Sequence, residues 1–126
     1  MQKNMELVDE RYSWFAPAQL WKLAAPLVPA PVRRPQGGGS APADSESVFA
    51  AIAFVVVTGS PWRELPRIFG VSWQTAHRRF GQWAESGLWW ELLQAAARTG
   101  VRTVQYEWAE KLYRESGARG SFSVMR

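Results

Sequence analysis

Residues 60–83 read SPWRELPRIFGVSWQTAHRRFGQW, and this stretch decides the fold. Ser60-Pro61 is a helix-start signal, a capping hydroxyl followed by proline in the first turn. It predicts a short helix from Trp62 to Ile68 that ends near Gly70. Ser72 repeats the start signal for a second helix, Trp73 to Glu85, which Gly87 closes. Two short helices joined by Phe69-Gly70-Val71 make a helix-turn-helix.

The second of these helices has two faces. At about 100° per residue, Trp73, Ala76, Phe80 and Trp83 fall within about 80° of one another and form the inward side. Opposite them lie Gln74, Thr75, Arg78 and Gln82, with His77 on one flank and Arg79 on the other. Gln pairs in bidentate fashion with adenine, Arg with guanine, and Thr touches a thymine methyl, so the outward side suits a major groove. The N-terminal part of a recognition helix reaches base edges, which makes Gln74, Thr75 and Arg78 the candidate base readers. Arg63, Arg67, His77 and Arg79 are placed as phosphate contacts, which supply affinity without sequence information. The plain alternative is a solvated helix face that carries two arginines.

Outward from this stretch the chain keeps reading as helix. Upstream, Asp44 is an N-cap candidate and Gly59 a terminating glycine, with fourteen residues, SESVFAAIAFVVVT, between them. The valines favour a strand, whereas the length and both end signals favour a buried helix. Before that, PAPVRRPQGGGSAPA (29–43) is a flexible Pro/Gly linker, because three consecutive glycines between prolines hold neither helix nor central strand. Leu20, Ala24 and Leu27 mark one stripe of a helix within 16–28, with Pro17 near its first position. Downstream, Leu88, Trp89, Leu92 and Ala96 line one side of a helix that runs to about Arg98. Val101, Val104, Trp108 and Leu112 suggest one more. Residues 1–14 are polar and read as loose or weakly helical, and 116–126 as a disordered tail. The expected fold is all-α: a small helical bundle over 15–98 that contains the helix-turn-helix, with residues 99–126 as an appended helix and tail.

Charge follows the same division. The chain has 126 residues and a formal charge of +4. Residues 62–83 hold Arg63, Arg67, Arg78 and Arg79 against Glu64, a net +3, whereas 44–61 carry only Asp44 and Glu46. Residues 98–126 hold six basic and three acidic residues, again +3. Grouped positive charge is the footprint of a polyanion binder. The absence of cysteine excludes disulfides and cysteine zinc sites. Met1 to Glu10 lacks the apolar core of a signal peptide, and the apolar run Val48 to Val57 is about half a membrane span. A cytoplasmic protein without membrane contact is expected, with neither cofactor nor metal.

The run from Phe15 to Ala96 resembles the N-terminal domain of bacterial insertion-sequence transposases with a DDE catalytic core. LWKLAAPLVP, RPQGGGSAP and VFAAIAFVVVTGSPWRELPRIFGVSWQTAHRRFGQWAESGLW carry the resemblance. The family pattern T-G-x-x-W-R-x-L-P falls on Thr58, Gly59, Trp62, Arg63, Leu65 and Pro66. Its T-x-x-R-R-F-x-x-W falls on Thr75, Arg78, Arg79, Phe80 and Trp83. The resemblance implies binding of double-stranded DNA at the terminal inverted repeats of an element. It also implies a ribonuclease-H-like domain behind this one, whose two Asp and one Glu bind divalent metal. Here the sequence departs from the pattern. The only aspartates are Asp9 and Asp44, both upstream of the helix-turn-helix, so no catalytic residue carries over and no catalysis by this chain is expected.

Three readings follow: a transposase front part that works with a catalytic transposase chain or competes with full-length transposase, a domesticated transcriptional regulator that forms a homodimer through a new C-terminal helix, or an inert relic. Arg33 and Arg34 stand either as a minor-groove arm or as solubilising charges in a loop. His77, the single histidine, has no metal-binding company. Of Trp89 and Trp90, helical spacing leaves one exposed as a candidate dimer contact.

Overall fold

A computed structural model describes residue 12, residues 14–29 and residues 44–125. Of the linker only Pro29 is among these, so Arg33 and Arg34 lie outside the described residues. The described elements are five α-helices and three 3₁₀ turns, with no strand among the described residues. We name the helices α1 (Ala18–Ala24), α2 (Ser45–Thr58), α3 (Trp73–Glu85), α4 (Leu88–Thr99) and α5 (Val104–Met125). The all-α small bundle expected from the sequence is what the chain forms.

The end signals explain the boundaries. The Asp44 carboxylate accepts the Ser47 backbone N–H at 3.0 Å and the Ser47 hydroxyl at 3.1 Å. Such a cap stabilises a helix by about 1 kcal/mol. At the far end Gly59 takes φ 73°, the left-handed conformation that a side chain resists, and its N–H returns to the Val55 carbonyl. Between these ends the apolar segment is buried from Glu46 to Ala53 and again at Val55. Burial on every side and two firm ends outweigh the β-preference of Val55, Val56 and Val57.

Around α2 the other helices each contribute one stripe. Leu20 and Ala24 come from α1; Ala76, Phe80 and Trp83 from α3; Leu88, Trp89, Leu92 and Ala96 from α4; Ala109 and Leu112 from α5. Trp89 is 1% exposed and its ring lies 5.4 Å from Phe80 and 6.0 Å from both Phe49 and Trp83. Its indole N–H donates to the Phe80 carbonyl at 3.2 Å, so a buried polar group is satisfied between α3 and α4. Phe69 gathers a second aromatic group, with Tyr12, Phe15 and Phe54 at 5.5–5.6 Å.

Several expectations need correction. No helix spans 62–68: 3₁₀ turns occupy Trp62–Glu64 and Arg67–Phe69 instead. Pro66 offers no N–H and drives Leu65 to ψ 125°, which splits the segment. Val101 and Val104 are exposed rather than inward, because α5 starts at Val104 and its buried stripe runs through Ala109, Leu112 and Ser116. The tail expected to be disordered from residue 116 continues as α5 to Met125; it contains no proline, and glycine alone does not stop a helix. Finally, Tyr12 and Trp14 are not loose. Their rings stack on Phe69, and the Tyr12 hydroxyl bonds Ser47 Oγ at 2.9 Å.

Candidate nucleic-acid interface

The segment between α2 and α3 fixes how α3 is presented. The first 3₁₀ turn is closed by the Leu65 N–H on the Trp62 carbonyl, the second by the Gly70 N–H on that of Arg67. Gly70 takes φ 68° and turns the chain into α3. The motif is therefore a long helix, two single turns and a helix, with Phe69 as the buried pin, rather than two short helices around a turn.

Ser72 caps α3, its Oγ accepting the Thr75 N–H at 3.1 Å. The helix then divides as its spacing requires, with Ala76, Phe80 and Trp83 buried and Gln74, His77, Arg78 and Gln82 exposed. Trp73, expected inward, is only half-buried. It lies under Arg63, whose guanidinium carbon is 5.5 Å from the ring centroid. A cation held over an indole is oriented without being neutralised, at about 0.5–1 kcal/mol for an exposed pair. His77 sits edge-on to Trp62 at 5.2 Å and 6.5 Å from Trp73. The first 3₁₀ turn and the first half of α3 thus gather Arg63, Trp73 and His77.

The remaining candidates are placed unevenly. Gln74 and Arg78 stand four residues apart on the exposed stripe, in line with Gln82. Thr75 is half-buried, and its Oγ1 accepts from the Ser72 hydroxyl at 3.1 Å, so it is partly committed to the cap. Arg79 is also half-buried, and burial, followed by the neighbouring Arg78 cation, lowers its pKa from the ordinary arginine value. An arginine remains protonated at neutral pH all the same, so the pair is two unreconciled positive charges on one helix. Arg67 is exposed on the second 3₁₀ turn beside Ile68, itself 65% exposed.

Two features escaped the sequence reading. The Arg63–Trp73 stack joins positions ten apart across two turns, and no local periodicity signals it. Glu85 does have a signal, since seven residues after Arg78 it returns to the same stripe and ends it with a negative charge. Among the described residues no group of three or more His, Cys, Asp or Glu is close enough to hold a metal. No described helix is long and apolar enough to cross a membrane.

A family described as "Putative transposase of IS4/5 family" matches residues 17–93, from α1 into α4, and so takes in all the candidate contact residues. The chain is also similar to the "Insertion element IS402 uncharacterized 16.2 kDa protein" of Burkholderia cepacia, 39% identical over 85 residues. That similarity covers 64% of this chain and 58% of the relative, so the chain spans little more than half of the curated protein it matches. No solved structure gives a significant match.

Proposed function

The chain belongs to the IS4/5 family of transposases, and on that premise we propose that its helical body grips double-stranded DNA at the ends of an insertion element. The observation that carries the reading is the division of α3, whose buried side is anchored in the core while Gln74 and Arg78 stand clear. A rigidly mounted helix with a glutamine and an arginine on its free stripe has the donors and acceptors that distinguish adenine and guanine in the major groove. Thr75 contributes at the same end, within the limit set by its bond to Ser72. Arg63, Arg67, His77 and Arg79 surround this stripe and hold phosphates. An incoming phosphate offsets the Arg78–Arg79 repulsion and the burial that disfavours the Arg79 charge. Arg33 and Arg34 remain proposed as an arm to the minor groove.

Cutting and joining DNA are left to residues other than these. The carboxylate of Asp44 is engaged in capping α2. In this proposal the partner chemistry comes from a metal-binding transposase domain, on whichever chain carries it, and the protein acts where the DNA is, in the cytoplasm. The dimerising-regulator reading loses ground because the apolar stripe of α5, Ala109 and Leu112, is used on the chain's own core.

The test is selection of duplexes from a random pool by the purified chain. The expected result is enrichment of a sequence that matches inverted repeats flanking the gene. Recovery of unenriched DNA would sink the proposal. With magnesium or manganese the purified chain leaves those duplexes uncut, and nicking that co-elutes with the protein would overturn the division of labour.

A further inference from the structure

Gly81 lies in the middle of α3, exposed, between Arg78 and Gln82. Nothing among the described residues asks for a glycine there. Its φ is not among the positive ones, and a Cβ built on it meets no atom of the described residues within 4 Å. Glycine in a helix interior is destabilising relative to alanine, so α3 carries a local cost with no internal return. On a helix stripe already read as a contact face, an uncompensated glycine is where close approach of a partner is expected.

We infer that Gly81 is where the sugar–phosphate backbone of bound DNA passes closest to α3. The inference rests on the reading of α3 as the DNA-facing helix. Gly81 follows Gln74 by seven residues, about 10.5 Å along the helix axis, and returns to the same stripe. A major groove is about 12 Å wide, and a helix with its side chains nearly fills it. A helix whose first turns read base edges therefore meets the groove wall about two turns further on, and a missing side chain there lets the wall close in. The flanking residues fit a nucleic acid better than a protein, since Arg78 and Gln82 are polar and no apolar side chain shares the stripe. Glu85, one turn beyond, repels phosphate and marks where the strand has left the helix.

The test compares Gly81→Ala and Gly81→Leu with Gly117→Ala, a control at another exposed helical glycine whose Cβ also meets nothing. The probes are a duplex selected by the wild-type protein and its scrambled counterpart, titrated at several salt concentrations. Both alanine variants should melt at or above the wild-type temperature. Gly81→Leu should keep its fold by circular dichroism and lose about tenfold in affinity for both duplexes. Its salt slope should stay as in wild type, because no charge has been removed. Gly117→Ala should bind as wild type. Wild-type affinity in Gly81→Leu, beside an impaired Arg78→Ala, overturns the inference and leaves the DNA reading standing. A loss confined to the selected duplex also overturns it, since the contact would then be to a base. If the wild-type protein binds neither duplex, the reading and the inference fall together.

Discussion

Helices α2 and α3 are nearly equal in length, and the chain uses them in opposite ways. Over most of its length α2 is buried on every side, and even Glu46 and Ser47 in its first turn are covered. In α3 the polar and apolar halves are cleanly separated, with three buried residues along one edge and Gln74, Arg78 and Gln82 along the other. A helix with no free face can only support its neighbours. One with a free face, mounted on that support, can be held at a fixed angle to a partner. The 3₁₀ turns between them, pinned by Phe69, set this angle.

With that division, the two edges of α3 respond to mutation in different measurements. Phe80→Ala should show the largest effect, about 3–5 kcal/mol of stability in denaturant melts. The ring is 3% exposed and touches both Trp62 and Trp89. Gln74→Ala, on the opposite edge, should stay within about 0.5 kcal/mol in the same melts. A Phe80→Ala protein that melts like wild type would mean that the anchored edge is not anchored.

Arg78→Ala comes next and should leave stability unchanged. It should cost about 1–3 kcal/mol on the preferred duplex and relax the preference at one base pair. Equal losses on preferred and scrambled duplexes would remove Arg78 from the base-reading role.

A smaller effect belongs to the support. Asp44→Ala should lower stability by about 1 kcal/mol through loss of the cap on α2, and Ser72→Ala should do the same for α3. The cap on α2 stands far from the interface in sequence, whereas Ser72 also holds Thr75. Ser72→Ala should therefore alter the base preference as well as the melting midpoint, and Asp44→Ala the midpoint alone. A changed preference in Asp44→Ala would contradict the separation of support from contact.

Much of this was legible in the sequence because it is written locally. Asp44, Gly59, Ser72 and Gly87 mark helix ends with side-chain or backbone chemistry that acts within a few residues. The anchored edge of α3 follows from periodicity, and so does the exposure of Trp90 beside the buried Trp89. What the sequence leaves illegible depends on competition or on distance. At 62–68 the start signal Ser60-Pro61 competes with Pro66, which splits the segment into two turns. On α5 the spacing of Val101 and Val104 was sound, but the helix begins too late to use it. The Arg63–Trp73 stack and the seating of Tyr12 on Phe69 join distant positions, and no short-range pattern encodes them.

The smallest effect concerns the cations around the free edge, and salt is the way to see it. Arg67 is exposed on the second 3₁₀ turn, outside α3, where a phosphate contact is the proposed role. Each phosphate contact adds about 0.9 to the slope of log affinity against log salt. Between 50 and 200 mM salt that amounts to about 3.5-fold in affinity per contact. Arg67→Ala should therefore bind both duplexes more weakly, by the same factor, and its deficit should shrink by about 3.5-fold over that range. Arg63→Ala should behave alike, because the Trp73 ring orients its guanidinium without neutralising it. A deficit that does not change with salt would mean that Arg67 supports the turn rather than touching phosphate. A deficit seen only on the preferred duplex would move Arg67 to the base-reading side, and the free edge of α3 would no longer hold the specificity alone.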